Sequence, residues 1–106
     1  MRIISGIFKG KKIFEPKDIK TRPLKDLTKE SIFNVLNHSN KFDIKLKNSN
    51  ILDLFSGVGS FGIESLSRGA NSVVFIENYQ NALTILKKNA ESLKLFFSIL
   101  LTKIIK

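Results

Sequence analysis

Two carboxylates and three glycines hold the spacing from which a chemistry can be read in this chain. Asp53 closes the apolar run that starts at Ile51, and Gly57, Gly59 and Gly62 follow it as G-x-G-x-x-G. Glu77 closes a second apolar run, Ser72 to Ile76, twenty positions after Gly57. A side chain of one hydrogen lets the backbone turn sharply, approach a ligand closely and bring a helix against a strand. Dinucleotide-binding and methyl-donor-binding loops share this geometry, so the glycines alone do not choose between them.

Asp53 makes the choice. Nicotinamide-type loops usually follow an uninterrupted apolar strand, whereas a carboxylate at the strand end suits a cationic ligand, such as the sulfonium or amino group of S-adenosylmethionine. An acid at the end of the next strand is placed to meet a ribose diol, the role expected of Glu77. Each carboxylate also has a plain structural alternative, as a cap for the helix that follows it.

These residues need a strand, turn, helix, strand arrangement. The expected elements are a strand ending near Asp53, a helix from about Ser60 to Arg68 stopped by Gly69, the Ser72 to Glu77 strand, and a helix from about Gln80 to Lys94. Leu83, Leu86, Ala90 and Leu93 form one stripe of that last helix and are expected to pack on the sheet. Upstream, Arg2 to Phe8 and Lys11 to Phe14 read as two short strands of a hairpin around Lys9-Gly10, ended by Pro16. Thr21-Arg22-Pro23 opens a helix from about Leu24 to Asn37, with Leu24, Leu27, Ile32, Val35 and Leu36 as its buried face and Lys25, Lys29 and Glu30 elsewhere. Asn37 to Asn50 is a polar connector, which divides the chain into a basic N-terminal appendage, 1–47, and an α/β core, 48–106. Residues 95–106 hold eight apolar residues in twelve and could add a third strand.

Composition narrows the partners. The 106 residues carry a net charge of +9. Residues 1–47 contribute twelve Lys or Arg against five acids, and residues 48–106 six against four, so the basic excess lies in the appendage. Nucleic acid is the natural partner for such a segment, with Arg22 and Lys25 as candidate phosphate contacts, although a general lysine bias would give the same totals. The chain has no cysteine and one histidine, His38, placed at the solvated end of a helix, so thiolate and multi-histidine metal sites are not expected. No signal-peptide pattern opens the sequence and no apolar run reaches membrane-spanning length, which suits a cytoplasmic, monomeric protein with no membrane partner.

Several motifs in order carry a family resemblance: Arg2-Ile3-Ile4-Ser5-Gly6, Thr21-Arg22-Pro23, Lys29-Glu30-Ser31-Ile32-Phe33-Asn34, Asp53 to Gly59, Gly62 to Ala70, and Lys88-Asn89. Over residues 1–94 the chain resembles the N-terminal half of the bacterial methyltransferases that modify a guanine N2 amino group in 16S ribosomal RNA. The resemblance implies a partial Rossmann-like α/β fold that uses S-adenosylmethionine and acts on ribosomal RNA or the small-subunit particle. It assigns Asp53, Phe55, Gly57, Gly59 and Gly62 to the donor, Glu77 to its ribose, and Thr21, Arg22 and Lys25 to the RNA side.

Two departures accompany the resemblance. The family usually has an acid two residues beyond the Glu77 position, where this chain has Tyr79. Its catalytic Asp/Asn-Pro-Pro-aromatic segment is absent here, since the only prolines are Pro16 and Pro23. The expectation is a donor-binding domain that is inactive alone, with an open apolar edge at the Asp53 strand. A non-catalytic RNA-binding or residual fragment is the alternative function, and a nicotinamide-dependent oxidoreductase fragment stands third.

Overall fold

The computed structural model describes residues 1–17, 26–38, 45–94 and 99–102. Thr21, Arg22, Pro23 and Lys25 lie outside them. Three helices and three strands follow in the order α1 (Asp26–His38), β1 (Asn50–Leu54), α2 (Ser60–Ser67), β2 (Ser72–Ile76), α3 (Gln80–Ser92) and β3 (Ile99–Thr102). The strands form one parallel sheet in the order β1-β2-β3. Asp53 pairs with Phe75 and Leu54 with Ile76, which sets the ends of β1 and β2 side by side. Val73 to Ile76 continue in register onto Ile99 to Thr102. This is the partial Rossmann-like architecture expected, third strand included.

The α2 corner shows why the glycines stand where they do. Gly59 has φ of 89°, and a Cβ there would collide with Leu86 of α3. A Cβ on Gly62 would run into the Phe75 ring and come within 2.8 Å of Val73 Cγ1. The two hydrogens therefore let α2 lie directly on β2 while α3 closes over the loop. At its other end α2 stops in a Schellman motif: Ala70 N–H donates to the Ser65 carbonyl and Gly69 N–H to that of Leu66. The core that results contains Val58, Ile63, Leu66, Val73, Phe75, Leu83 and Leu86, and also Ile3 and Ile13 from the N-terminal segment.

That segment forms a short hairpin. Arg2 and Lys12 make its antiparallel bridge, and Ile3 N–H donates to the Lys11 carbonyl, Gly10 N–H to that of Ile3 and Ile13 N–H to that of Met1. The next amides are drawn elsewhere: Ile4 and Ser5 N–H donate to the Glu64 carboxylate (2.9 and 3.1 Å), and Phe8 N–H to Ser67 Oγ (3.0 Å). Ile7 N–H takes the Ser67 carbonyl (2.9 Å). Residues 4–8 thus bond the C-terminal half of α2 instead of a second strand.

The face of α1 also departs from the expected one. Leu27 is 77% exposed and Val35 53%, whereas Phe33 and Lys29 are fully buried. Lys29 Nζ lies 3.2 Å from Glu64 Oε1, 3.1 Å from Ser60 Oγ and 3.3 Å from the Arg2 carbonyl. Phe33 is sandwiched between the Phe61 ring, 4.8 Å away, and the Arg68 guanidinium, 4.5 Å away. A periodicity count places lysine outward by default; here a buried carboxylate draws it in.

Burial raises the Glu64 carboxyl toward its neutral form, but the Ile4 N–H, the Arg68 guanidinium, the Lys29 ammonium and the Ser5 N–H outweigh that and hold it below its ordinary value. A depressed acid contributes its stability above the unfolded value of 4.5 and loses it as pH falls through the lower folded value. Replacing Glu64 by Gln leaves the Lys29 charge buried without its counter-ion and is expected to cost about 3–5 kcal/mol, read by urea unfolding at pH 7. The deficit should narrow in acid, where the parent loses the same charge. For Gly62→Ala, overpacking of about 1–3 kcal/mol exceeds the roughly 1 kcal/mol gained in helix propensity, so the same measurement should show a net loss.

Candidate functional site

The site lies at the C-terminal ends of β1 and β2. Phe55 follows β1 with φ of 56°, an unusual conformation for a bulky residue, and is 91% exposed. The reversal it makes carries Ser56 N–H to the Ile76 carbonyl (3.1 Å). Gly57, with φ of 57°, then donates its N–H to Glu77 Oε1 at 2.7 Å. A Cβ on Gly57 would meet nothing within 4 Å. Of the three glycines, Gly57 is the one that faces open space, while Gly59 and Gly62 are consumed by packing.

Asp53 sits beneath this loop. Its Oδ2 accepts the Gly62 N–H at 3.2 Å, in the first turn of α2, so the carboxylate does the capping that no side chain at Gly59 supplies. Glu77 bonds the turn that leads into α3: its Oε2 accepts the Asn78 and Tyr79 N–H groups at 3.0 and 2.9 Å, both ahead of the helix. The capping role anticipated as an alternative is thus present for Asp53, whereas these Glu77 hydrogen bonds are local to that turn. They do not exhaust the carboxylates, since three N–H groups occupy three of the roughly four acceptor positions of Glu77.

Electrostatics separates the two acids. Asp53 is raised from 3.8 to about 6, first by desolvation and further by the charge of Glu77, against the Gly62 N–H. A half-buried carboxylate facing a second one, with no basic side chain bonded to it among the described residues, is poised to receive a positive charge. The expected RNA contacts at Thr21, Arg22 and Lys25 lie outside the described residues, so of the expected site residues the structure brings together Asp53, Phe55, Gly57, Gly59, Gly62 and Glu77.

Residue Asn89 escaped the sequence reading as a positioning group. It is buried in α3, accepts the Phe14 N–H at 2.7 Å, and donates from Nδ2 to the carbonyls of Phe14 (3.2 Å) and Val58 (2.9 Å). One amide thereby fixes the glycine loop, α3 and the N-terminal segment to each other. Its signals in the sequence are the Lys88-Asn89 pair of the family resemblance and a polar residue directly before Ala90 on the apolar stripe.

A family model described as conserved hypothetical protein 95 matches residues 1–103. The chain belongs to this family. Its relatives include the ribosomal RNA small subunit methyltransferase D of Haemophilus influenzae, 38% identical over 94 residues, covering 89% of this chain and 46% of the relative. The Escherichia coli protein of the same name is 34% identical, covering 89% and 44%. The solved structure of yhhF from Escherichia coli, provisionally described as a methyltransferase, superposes with a TM-score of 0.79 at 29% identity, over 96% of this chain and 51% of that one. The chain thus spans about half the length of the relatives it matches.

A group whose folded pKa is raised binds more protons folded than unfolded between the two values. The contribution of Asp53 to stability is therefore greatest below 3.8 and falls as pH rises to about 6. Asp53→Asn keeps an acceptor for Gly62 N–H and cannot ionise. Thermal unfolding across pH 4 to 7.5 should show the parent losing stability relative to this variant through that window.

Proposed function

We propose that this chain forms the donor-binding part of an S-adenosylmethionine-dependent methyltransferase acting on a guanine N2 amino group of small-subunit ribosomal RNA. The observation that carries the reading is that two carboxylates, Asp53 and Glu77, stand at neighbouring strand ends, with Gly57 bonded to Glu77 and leaving room for a ligand on its own open side. The names of the relatives supply the substrate class.

The residues present fit the cofactor. Open space beside Gly57 admits a ligand against the backbone, Asp53 offers an unpaired negative charge to a sulfonium or ammonium group, and Glu77 Oε1 retains acceptor capacity for a ribose hydroxyl. When bound, S-adenosylmethionine supplies an electrophilic methyl group. The work of this chain is to hold it: Asp53 by charge, Glu77 by hydrogen bonding, and Gly57 by presenting bare main chain. Phe55, exposed at the loop's entry, would cover the bound ligand with an apolar face.

The appendage, 1–47, would face the RNA, with Thr21, Arg22 and Lys25 as its contacts. An exocyclic guanine amine is a weak nucleophile, and orienting it can lower a barrier by roughly 7–11 kcal/mol. The Asp/Asn-Pro-Pro-aromatic segment that would do so does not occur in these 106 residues. The chain by itself is thus expected to bind the donor without turning over.

Isothermal calorimetry tests the reading. S-adenosylmethionine should bind and NAD should not. Glu77→Ala should weaken binding by about 1.5–3 kcal/mol, the range for a bond to a charged group. In Asp53→Asn the affinity should lose the decline that the parent shows below about pH 6. NAD binding with equal strength would defeat the proposal. Labelled methyl transfer to undermodified small-subunit particles by this chain alone would defeat its claim about the absent segment.

A further inference from the structure

A second concavity opens beside the donor site, between residues 12–17 and the outer side of α3. It measures about 650 Å³, and its lining includes Lys12, Phe14, Lys17, Asn81, Thr84 and Lys88. Phe14 is part of that lining. Asn89 clamps the backbone of Phe14 on both its N–H and its carbonyl, which fixes the main chain from which the ring projects. Lys88 Nζ lies 4.1 Å from the ring centroid and Lys12 Nζ 5.2 Å, bringing two ammonium groups onto one aromatic ring.

Like charges gathered this way repel, and among the described residues neither lysine has a carboxylate within ion-pair distance. Glu15, the one acid in the lining, lies 3.9 Å from the Met1 ammonium. The groove is thus a concave, cationic site that lacks its anion. Its direction matters as well. Asn81 stands on the first turn of α3, bonded to the Tyr79 hydroxyl, and Tyr79 N–H bonds Glu77. From Asn81 to Lys88 the helix rises roughly 10 Å, so the groove leads away from the donor site along α3.

We propose that this groove seats the phosphodiester backbone of a single-stranded RNA segment, with Lys12 and Lys88 on its phosphates, beside the donor site. The inference rests on the ribosomal RNA reading above and adds a binding surface to it. A chain with one negative charge per residue suits a row of unpaired ammonium groups in a narrow concavity, and Arg2, Lys9 and Lys11 extend the positive surface along the same segment.

The test uses the full chain, a fluorescent single-stranded RNA 20-mer, and a poly-glutamate peptide of matching length, measured by anisotropy across a salt series. Lys12→Glu/Lys88→Glu is compared with Lys45→Glu/Lys94→Glu, which removes the same charge from exposed sites elsewhere. Lys12→Gln/Lys88→Gln retains long side chains over Phe14 and guards against a folding defect, checked by thermal unfolding. The expected result is a loss of RNA affinity of at least tenfold in the reversed pair, a smaller loss in the glutamine pair, and little change in the control. The salt slope should flatten by about 1.4, for two single-strand phosphate contacts. S-adenosylmethionine affinity should be unchanged in all three.

Equal losses in the groove pair and the control would overturn the groove while leaving the RNA reading intact. Equal binding of poly-glutamate and RNA would overturn RNA as the occupant. No RNA binding by the parent would overturn both.

Discussion

One buried carboxylate organises this molecule. Glu64 sits in the middle of α2 with no exposure, and an acid in that position is costly unless its charge is matched. The match comes from every side: Lys29 of α1, Arg68 one turn on, and the backbone of Ile4 and Ser5. Arg68 comes from the end of α2 itself, and the other partners sit on elements that also pack against it, through Phe33 on Phe61 and Ile3 in the core. On top of that packing, the N-terminal segment and α1 share one requirement, that a carboxylate away from water find its donors. A hydrophobic contact tolerates small displacements, but this arrangement asks for directions and distances, and so it fixes orientation as well as proximity.

The candidate site at the ends of β1 and β2 inherits that order indirectly. Lys29 also bonds Ser60 Oγ, the first residue of α2, so α1 touches the end of the helix that the glycine loop feeds. Asn89 acts on the other flank, holding Val58 of the loop against α3. The loop between them is stretched from a strand whose last residues face outward to a helix whose packing leaves no room for a methyl group at Gly62. Within that frame Gly57 is the free member, its N–H bonded to Glu77, while Asp53 caps α2 through Gly62.

Much of this was legible beforehand. Apolar runs ending in acids placed β1 and β2, the glycine at position 69 stopped α2, and the stripe through Leu83, Leu86 and Ala90 faced inward as periodicity requires. These are local signals, written within a few turns of the residues they govern. The face of α1 was not legible, because its determinant, Glu64, lies far along the chain and acts through charge, which a periodicity count reads as exposure. The hairpin is present, but the amides of Ile4, Ser5 and Phe8 find acceptors on α2 that no local signal announces. Of the candidate site, spacing singled out Asp53, Gly57 and Glu77, and the structure sets the two acids at neighbouring strand ends with Gly57 bonded to Glu77. What spacing could not show is that Gly59 and Gly62 answer to packing, and that Phe55 turns into a left-handed conformation with its ring in solvent.

The far side of β1 has a consequence for how the chain behaves in solution. Leu52 and Leu54 are 60% and 55% exposed, and with Phe55 they make an apolar ridge along a strand that pairs on one side only among the described residues. Such a ridge invites a neighbouring copy to add a strand. Opposing this is the net charge of +9, which keeps copies apart through long-range repulsion. Salt shortens that repulsion to about 10 Å at 0.1 M while leaving the apolar attraction in place. Colloidal behaviour in this protein is thus a contest between a short greasy strand and a basic surface, and ionic strength is the setting that decides it.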